Sequence, residues 1–245
     1  MTAGADARPT SPSRPDGAPD RDGQPRRTVL SYARRGSRLT PTQAAAWAAH
    51  ADEWVISVDG VDEPGFAVAD RFGRTAPLIV EIGSGVGEAT GVLAAARPDH
   101  DVLALEVWVP GVAASLAEVT AAGARNVRFC PVDAAWAIEH LVAPGGLVEL
   151  WTFFPDPWPK SRHHKRRLVS PEFAAVAASR LAPGARWRLA TDWQHYAEHM
   201  VRVLDAEPAL SGGVVERWTE RPVTKFERKG LEAGRRITDL LYERC

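Results

Sequence analysis

LIVEIGSGVG, Leu78 to Gly87, is a short apolar run that ends in three glycines at alternate positions. A run of this length, rich in Ile and Val and closed by glycine, reads as a strand buried on both faces, as in a parallel sheet. The glycines then mark a strand-to-helix turn, where the backbone passes close to a ligand that a Cβ would hit. The helix after such a turn directs its first amides at that ligand.

The same alternation continues outward from this turn. Helical sequence runs to about Arg97, and Pro98-Asp99 makes a turn. DVLALEV is a second strand, VPGVAASLAEVTAAG a helix closed by Gly123, and NVRFCPVD a third strand. Ala134–Leu141 is a short helix, and GGLVELWTFF a fourth strand. Ser170 caps the helix PEFAAVAASRLAPG, with Pro171 at its first position. ARWRLATD is a fifth strand and WQHYAEHMVRVLDA another helix; VVERW and RITDLLYER are strand candidates around a polar loop. Upstream, TPTQAAAWAAHADEW is helical, with Thr40 or Thr42 as cap and Pro41 at an early position. Strands and helices in this order predict a doubly wound α/β sheet.

Residues 1–27 are rich in Pro, Gly, Asp, Arg and Ser and hold almost no large apolar side chain, which predicts a disordered tail. Residues 28–245 are expected to form one domain with a helical entry segment. No apolar run approaches a membrane span and no secretory segment opens the chain. Two cysteines, Cys130 and Cys245, lie too far apart in sequence for a disulfide framework or metal motif, so the expected setting is the reducing cytoplasm. The net charge of −1 hides local clusters: five arginines between Arg26 and Arg38, and five Lys or Arg between Lys160 and Arg167, with no acid inside either group. Such clusters on a near-neutral chain predict a defined face for a polyanion.

The glycine spacing is G-x-G-x-G, not the dinucleotide G-x-G-x-x-G. Glu81 precedes the first glycine, where a carboxylate would repel a pyrophosphate but accept from an ammonium group. Glu106 ends the second strand, at the offset of a carboxylate that accepts from ribose hydroxyls. Asp133 follows the third strand, beside the place of an adenine ring. Acids after three successive strands, without a phosphate-binding Lys, suit a cationic, phosphate-free adenosine ligand. S-adenosylmethionine fits that description, and the pattern resembles the class I methyltransferases.

The fourth strand runs into FPDPWPKSRHHKRR, Phe154 to Arg167. Pro155, Pro157 and Pro159 force a stiff, extended loop at the carboxyl edge of the sheet, and Asp156 is aimed by that backbone. The cations that follow would meet phosphates flanking a base held in the pocket. His163 and His164 have no third partner in the sequence to make a metal site, and none is expected.

FPDPWPKSRHHKRR resembles the signature of the bacterial tRNA (guanine-N7)-methyltransferase family, which modifies guanine 46 in the variable loop. ATDW at Ala190–Trp193, TKFERKG at Thr224–Gly230 and the upstream RRGSRLTPTQ resemble the family's other segments in the family's order. Trp108 departs from its pattern. The resemblance implies a Rossmann-like class I fold, a mostly parallel seven-stranded sheet with helices on both faces. It implies that Glu81, Gly83, Gly85, Gly87, Glu106, Asp133 and Asp156 bind S-adenosylmethionine, with Asp156 also catalytic. It implies that Lys160, Asp192, Thr224, Lys225, Phe226 and Glu227 bind the tRNA substrate. It implies that Arg162, His163, His164, Lys165, Arg166 and Arg167 contact RNA.

Guanine N7 has an available lone pair, so orientation and electrostatics matter more than a strong base. A carboxylate on the Watson–Crick edge would select guanine and turn N7 inward; Asp156, Asp192 and Glu227 are the candidates. Trp158 and Phe226 are the candidates for stacking on an unstacked base. The rival readings are a small-molecule or protein methyltransferase, a non-catalytic RNA-binding protein on the same fold, and a dinucleotide oxidoreductase. The basic run, the intact glycine and acid positions, and the glycine spacing count against them in turn.

Overall fold

The computed structural model describes residues 30–33, 36–59, 61, 63 and 66–245. The predicted tail lies outside the described residues, as do Arg26, Arg27, Arg34 and Arg35 of the first arginine cluster.

The entry segment leads into α1 (Pro41–Trp54), closed at its start by a capping box. Thr40 Oγ1 accepts from the Gln43 N–H, while the Gln43 side chain takes the Thr40 N–H. Then follow β1 (Leu78–Ile82), α2 (Glu88–Ala95), β2 (Asp101–Leu105), α3 (Val109–Ala121) and β3 (Val127–Cys130). Next come α4 (Ala134–Leu141), β4 (Leu147–Phe153), α5 (Pro171–Arg180), β5 (Leu181–Thr191) and α6 (Gln194–Asp205). β6 (Leu210–Val215), α7 (Lys225–Glu232) and β7 (Thr238–Arg244) complete the chain.

The seven strands form one sheet in the order β3-β2-β1-β4-β5-β7-β6. β1 pairs in parallel with β2 and β4, and β4 with β5, while β7 runs antiparallel to both β5 and β6. Every residue of β2 is buried, its first residue Asp101 paired with Arg74 and the apolar run Val102–Leu105 covered as in a parallel strand. On one face, Trp54 of α1, Leu93 of α2 and Leu116 of α3 pack with Trp151 of β4. On the other, Ile138 of α4, Phe173 of α5 and Tyr196 of α6 pack with Leu150 and Trp187. The strand order reverses at β1, so the loops after β1 and β4 diverge to opposite faces and leave a crevice at their carboxyl ends.

Two expectations change at the carboxyl-terminal end. The penultimate strand begins at Leu210 and ends at Val215, so Glu216–Trp218 of VVERW leave the sheet; Arg217 turns instead to the Glu227 carboxylate. TKFERKG, read as a polar loop, is the helix α7 with Thr224 as its cap. In the basic run, Ser161–Arg166 wind into a 3₁₀ turn.

Candidate active site

The crevice is a cleft lined by the glycine turn, the end of β2, the proline loop, the entry segment and Phe226. Among the described residues its charged lining groups are Glu106 and Asp156, both acids.

The glycine turn divides by task. Gly83 (φ +76°) and Gly85 (φ +62°) line the cleft, and a Cβ built on either meets no atom closer than 4.0 Å, so the room beside them belongs to the cleft. Gly87 (φ +84°) caps α2 and faces away, and a Cβ there would lie 2.7 Å from Cβ of Ser115. Its lack of a side chain serves the packing of α2 on α3 rather than direct ligand contact. The hydroxyl of Ser84, between the first two glycines, is buried and has no hydrogen-bond partner among the described residues.

The strand-end acids sit in three different states. Glu81 is buried and accepts from the Thr90 hydroxyl at 2.6 Å. Burial pushes its carboxyl up to about 7, against the pull of the Thr90 hydrogen bond and with a small further rise from Glu106. A carboxyl in that state is poised to ionise when a cation approaches. Glu106 lines the cleft, its two oxygens accepting from the N–H groups of Gly85 at 2.9 Å and Trp108 at 2.8 Å. It thereby ties the glycine turn to the start of α3. Asp133 is buried and caps α4, accepting from the Trp136 N–H at 3.0 Å; its neighbours Val132 and Ala134 line the cleft.

The proline loop is backbone under strain. Phe154 (φ +51°) and Trp158 (φ +45°), each followed by proline, occupy the left-handed region at a cost of about 1–3 kcal/mol apiece. Between them Asp156 lines the cleft and accepts from the Ala33 N–H at 3.1 Å. The Trp158 indole N–H donates to the Ser31 carbonyl at 3.0 Å. Ser31, Tyr32 and Ala33 thus form one wall of the cleft, a contribution that no sequence pattern announced because it comes from a loop more than a hundred residues upstream.

The basic run faces two ways. Lys160, Arg162 and Lys165 are exposed, and His163 packs edge-on to Trp158. Arg166 instead lies 3.5 Å over the Trp158 ring and donates to the carbonyls of Leu30 at 2.9 Å and Tyr32 at 2.7 Å. Arg167 is 3% exposed and donates to the Pro157 carbonyl at 3.0 Å. Both were expected to contact RNA; in this structure Nε and Nη2 of Arg166 donate to the entry segment, and Arg167 is buried. His164 stacks obliquely on His195.

The other expected substrate residues separate similarly. Phe226, 50% exposed, lines the cleft, and exposed Lys225 donates its backbone N–H to Glu88 at 2.5 Å. Thr224 caps α7. Asp192 is paired with Arg235 and is not part of the cleft wall. Glu227 is 1% exposed and held by Arg217 at 2.7 Å and Arg221 at 2.5 Å, with Asp239 on the far side of Arg221. It was expected to bind the substrate; in this structure two guanidinium groups occupy its buried carboxylate. Of the three acids considered for the guanine edge, Asp156 lines the cleft.

Among the described residues no cluster of His, Cys, Asp and Glu gathers as a metal site, both cysteines are free thiols, and no helix is long and apolar enough to cross a membrane.

A family model described as "Putative methyltransferase" matches residues 75–240. The chain is 64% identical to the tRNA (guanine-N(7)-)-methyltransferase of Nocardioides sp., over 95% of this chain and 94% of that one. It is 47% identical to the enzyme of the same description from Cutibacterium acnes, over 89% and 84% of the two chains. Among solved structures, the 16S rRNA methyltransferase KamB superposes with a TM-score of 0.52 at 19% identity, over 73% of this chain and 94% of that one. That last likeness concerns the fold.

Proposed function

The chain belongs to the tRNA (guanine-N(7)-)-methyltransferase family, and on that premise we propose that it methylates N7 of guanine 46 in the variable loop of tRNA, with S-adenosylmethionine as methyl donor. The observation that carries the reading is the cleft itself, where the open glycine turn and the strained, Asp156-bearing loop meet at one sheet edge. A tRNA-modifying enzyme of this kind works in the cytoplasm.

The cleft suits a cationic, phosphate-free adenosine ligand on three counts. Gly83 and Gly85 leave open room beside the backbone. The buried Glu81 carboxyl has a hydroxyl and no cation against it among the described residues. Among the described lining residues the charged groups are acids, with no Lys or Arg to favour a phosphate. Glu81, Glu106 and Asp133, with the backbone of Gly83 and Gly85, would hold the donor, which supplies an electrophilic methyl group on sulfur.

The rest falls to the chain's own residues. Guanine N7 needs no deprotonation, so Asp156 is not required as a strong base. Its carboxylate accepts from the N1–H and N2–H of the guanine edge, which turns N7 inward and offsets the positive charge that the ring gains. Phe226, half-exposed in the cleft wall, offers a face for an unstacked base, whereas one face of Trp158, the other stacking candidate, is covered by Arg166. Lys160, Arg162 and Lys165, with Lys225 on α7, meet the RNA backbone and fix its register.

Incubation with labelled S-adenosylmethionine and unmodified tRNA tests the reading, followed by borohydride and aniline cleavage to locate N7-methylguanine. Strand scission at guanine 46 is the expected result. Label incorporated without scission would place the methyl group on another atom, and scission elsewhere would move the target position.

A further inference from the structure

Arg167 is a buried cation without a carboxylate. Among the described residues its hydrogen-bond partners are a carbonyl and a histidine rather than an acid, and its Nη1 is buried without a hydrogen-bond partner. Desolvation holds its guanidinium below the usual arginine range. Burying such a charge is expensive, and a purely structural site would be better served by a paired or apolar side chain. Its two bonded nitrogens show what the position does. Nε donates to the Pro157 carbonyl at 3.0 Å, and Nη2 donates to Nδ1 of His195 at 3.0 Å. A guanidinium only donates, so His195 Nδ1 accepts and the ring carries its proton on Nε2. His195 lies in the first turn of α6, and the Arg167 guanidinium sits 4.9 Å over the ring of the next residue, Tyr196.

We propose that Arg167, anchored by His195, is the positioning residue that holds the strained proline loop and thereby aims Asp156. Pro157 stands between Asp156 and Trp158, so a donor on its carbonyl fixes the Pro157–Trp158 peptide, one residue past the carboxylate, where the chain enters the left-handed region at Trp158. Strained backbone persists only where its surroundings over-determine it. Arg166 and the entry segment clamp the loop from above through Trp158 and the carbonyls of Leu30 and Tyr32. Arg167 clamps it from below, against a helix whose position is set by the core. An oriented carboxylate needs this, because a displacement of about 1 Å costs on the order of a hundredfold in rate. The proposal rests on the reading of Asp156 as the residue that orients the base. It gives Arg167 a role opposite to that of the exposed cations beside it in sequence.

The test compares the full-length wild type with R167M, R167K and H195A. Measured are kcat and KM for unmodified tRNA, the dissociation constant of S-adenosylmethionine, the melting temperature, and hydrogen exchange of the peptide spanning residues 153–160. R167M is expected to lower kcat by about 10–100-fold while KM and cofactor affinity stay within about twofold. R167K, which can reach one acceptor but not both, recovers part of that loss. H195A, at an exposed position, keeps the wild-type melting temperature and lowers kcat by severalfold, so the proposal stays testable if R167M fails to fold. Loop amides exchange faster in R167M and H195A, a readout that needs no turnover. An unchanged kcat with a raised KM for tRNA would make Arg167 an RNA contact and overturn the proposal, as would unaltered loop exchange. If the wild type itself transfers no methyl group to tRNA, the reading of the substrate fails, while the exchange data still decide whether the brace exists.

Discussion

The glycine turn after β1 and the proline loop after β4 leave neighbouring strands at the same sheet edge, yet they do opposite things. The turn makes room by omission. Its positive φ values at Gly83 and Gly85 cost glycine little, and the space where a Cβ would stand is empty. The loop aims a side chain, and it does so with non-glycine residues in a conformation that L-residues avoid. Its prolines stiffen it, but its left-handed residues are held by contacts with Ser31, Ala33, Arg166 and Arg167. One region rests on its own residues and the other also on its surroundings.

The sharpest way to break this comparison is at the aimed carboxylate. Asp156→Ala should lower methyl transfer by about 10²–10³-fold, the range for removing one preorganised charge contact, with tRNA binding near normal. Retained turnover would remove Asp156 from the chemistry and leave the strained loop without a purpose.

The turn is tested through its buried acid. The Glu81 carboxyl titrates at about 7 in the folded chain against an ordinary value of 4.5, so the fold binds its proton more tightly than the unfolded chain does. Stability of the ligand-free protein should therefore fall as pH rises from about 4.5 through 7, by roughly 3 kcal/mol at about 1.4 kcal/mol per pH unit. Thermal melts across pH 5–8 measure this, and Glu81→Gln should flatten the dependence. A cationic ligand reverses the sign, so its affinity should rise over the same window. A pH-independent affinity would argue against an ammonium group beside Glu81.

Two glycine variants separate space from packing. Gly87→Ala drives a Cβ against Ser115 and should cost about 1–3 kcal/mol in stability. Gly83→Ala, which shares the left-handed cost of about 1–2 kcal/mol but meets no atom, should melt closer to the wild type, while binding of S-adenosylmethionine drops sharply. Calorimetry on both variants reads the split; equal loss of binding in the two would erase the distinction between them.

The smallest effect sorts the basic run. Replacing Lys160, Arg162 and Lys165 by Gln, singly, should each reduce the salt dependence of tRNA binding by about 0.7–0.9 in log–log slope, without change in kcat. A flat response at all three would assign the exposed cations to solvent.

How much of this was legible follows the same division. The strand before the glycine turn, the caps Thr40 and Ser170, and helix Ala134–Leu141 rest on neighbouring residues, so a window of sequence holds their cause. The carboxyl-terminal end did not read as it folds. Thr224 and Glu227 carry a helix start, but the polar face of α7 gives no apolar period to find, because the helix is held by buried ion pairs instead. In the basic run, five like charges look equivalent in sequence, and only the fold places two of them against carbonyls and leaves three in solvent.

The sequence by itself determined an α/β sheet, a glycine turn with acids at three strand ends, and a stiff loop carrying Asp156. Each of these follows from local propensity, hydrophobic period or proline geometry, which act over a few residues. Only the tertiary structure decided which acid faces the cleft, which arginines brace and which stay exposed, and that residues 31–33 close the wall. Those outcomes depend on desolvation and on hydrogen-bond partners up to 136 residues apart, and a charge's role is set by what it is buried against.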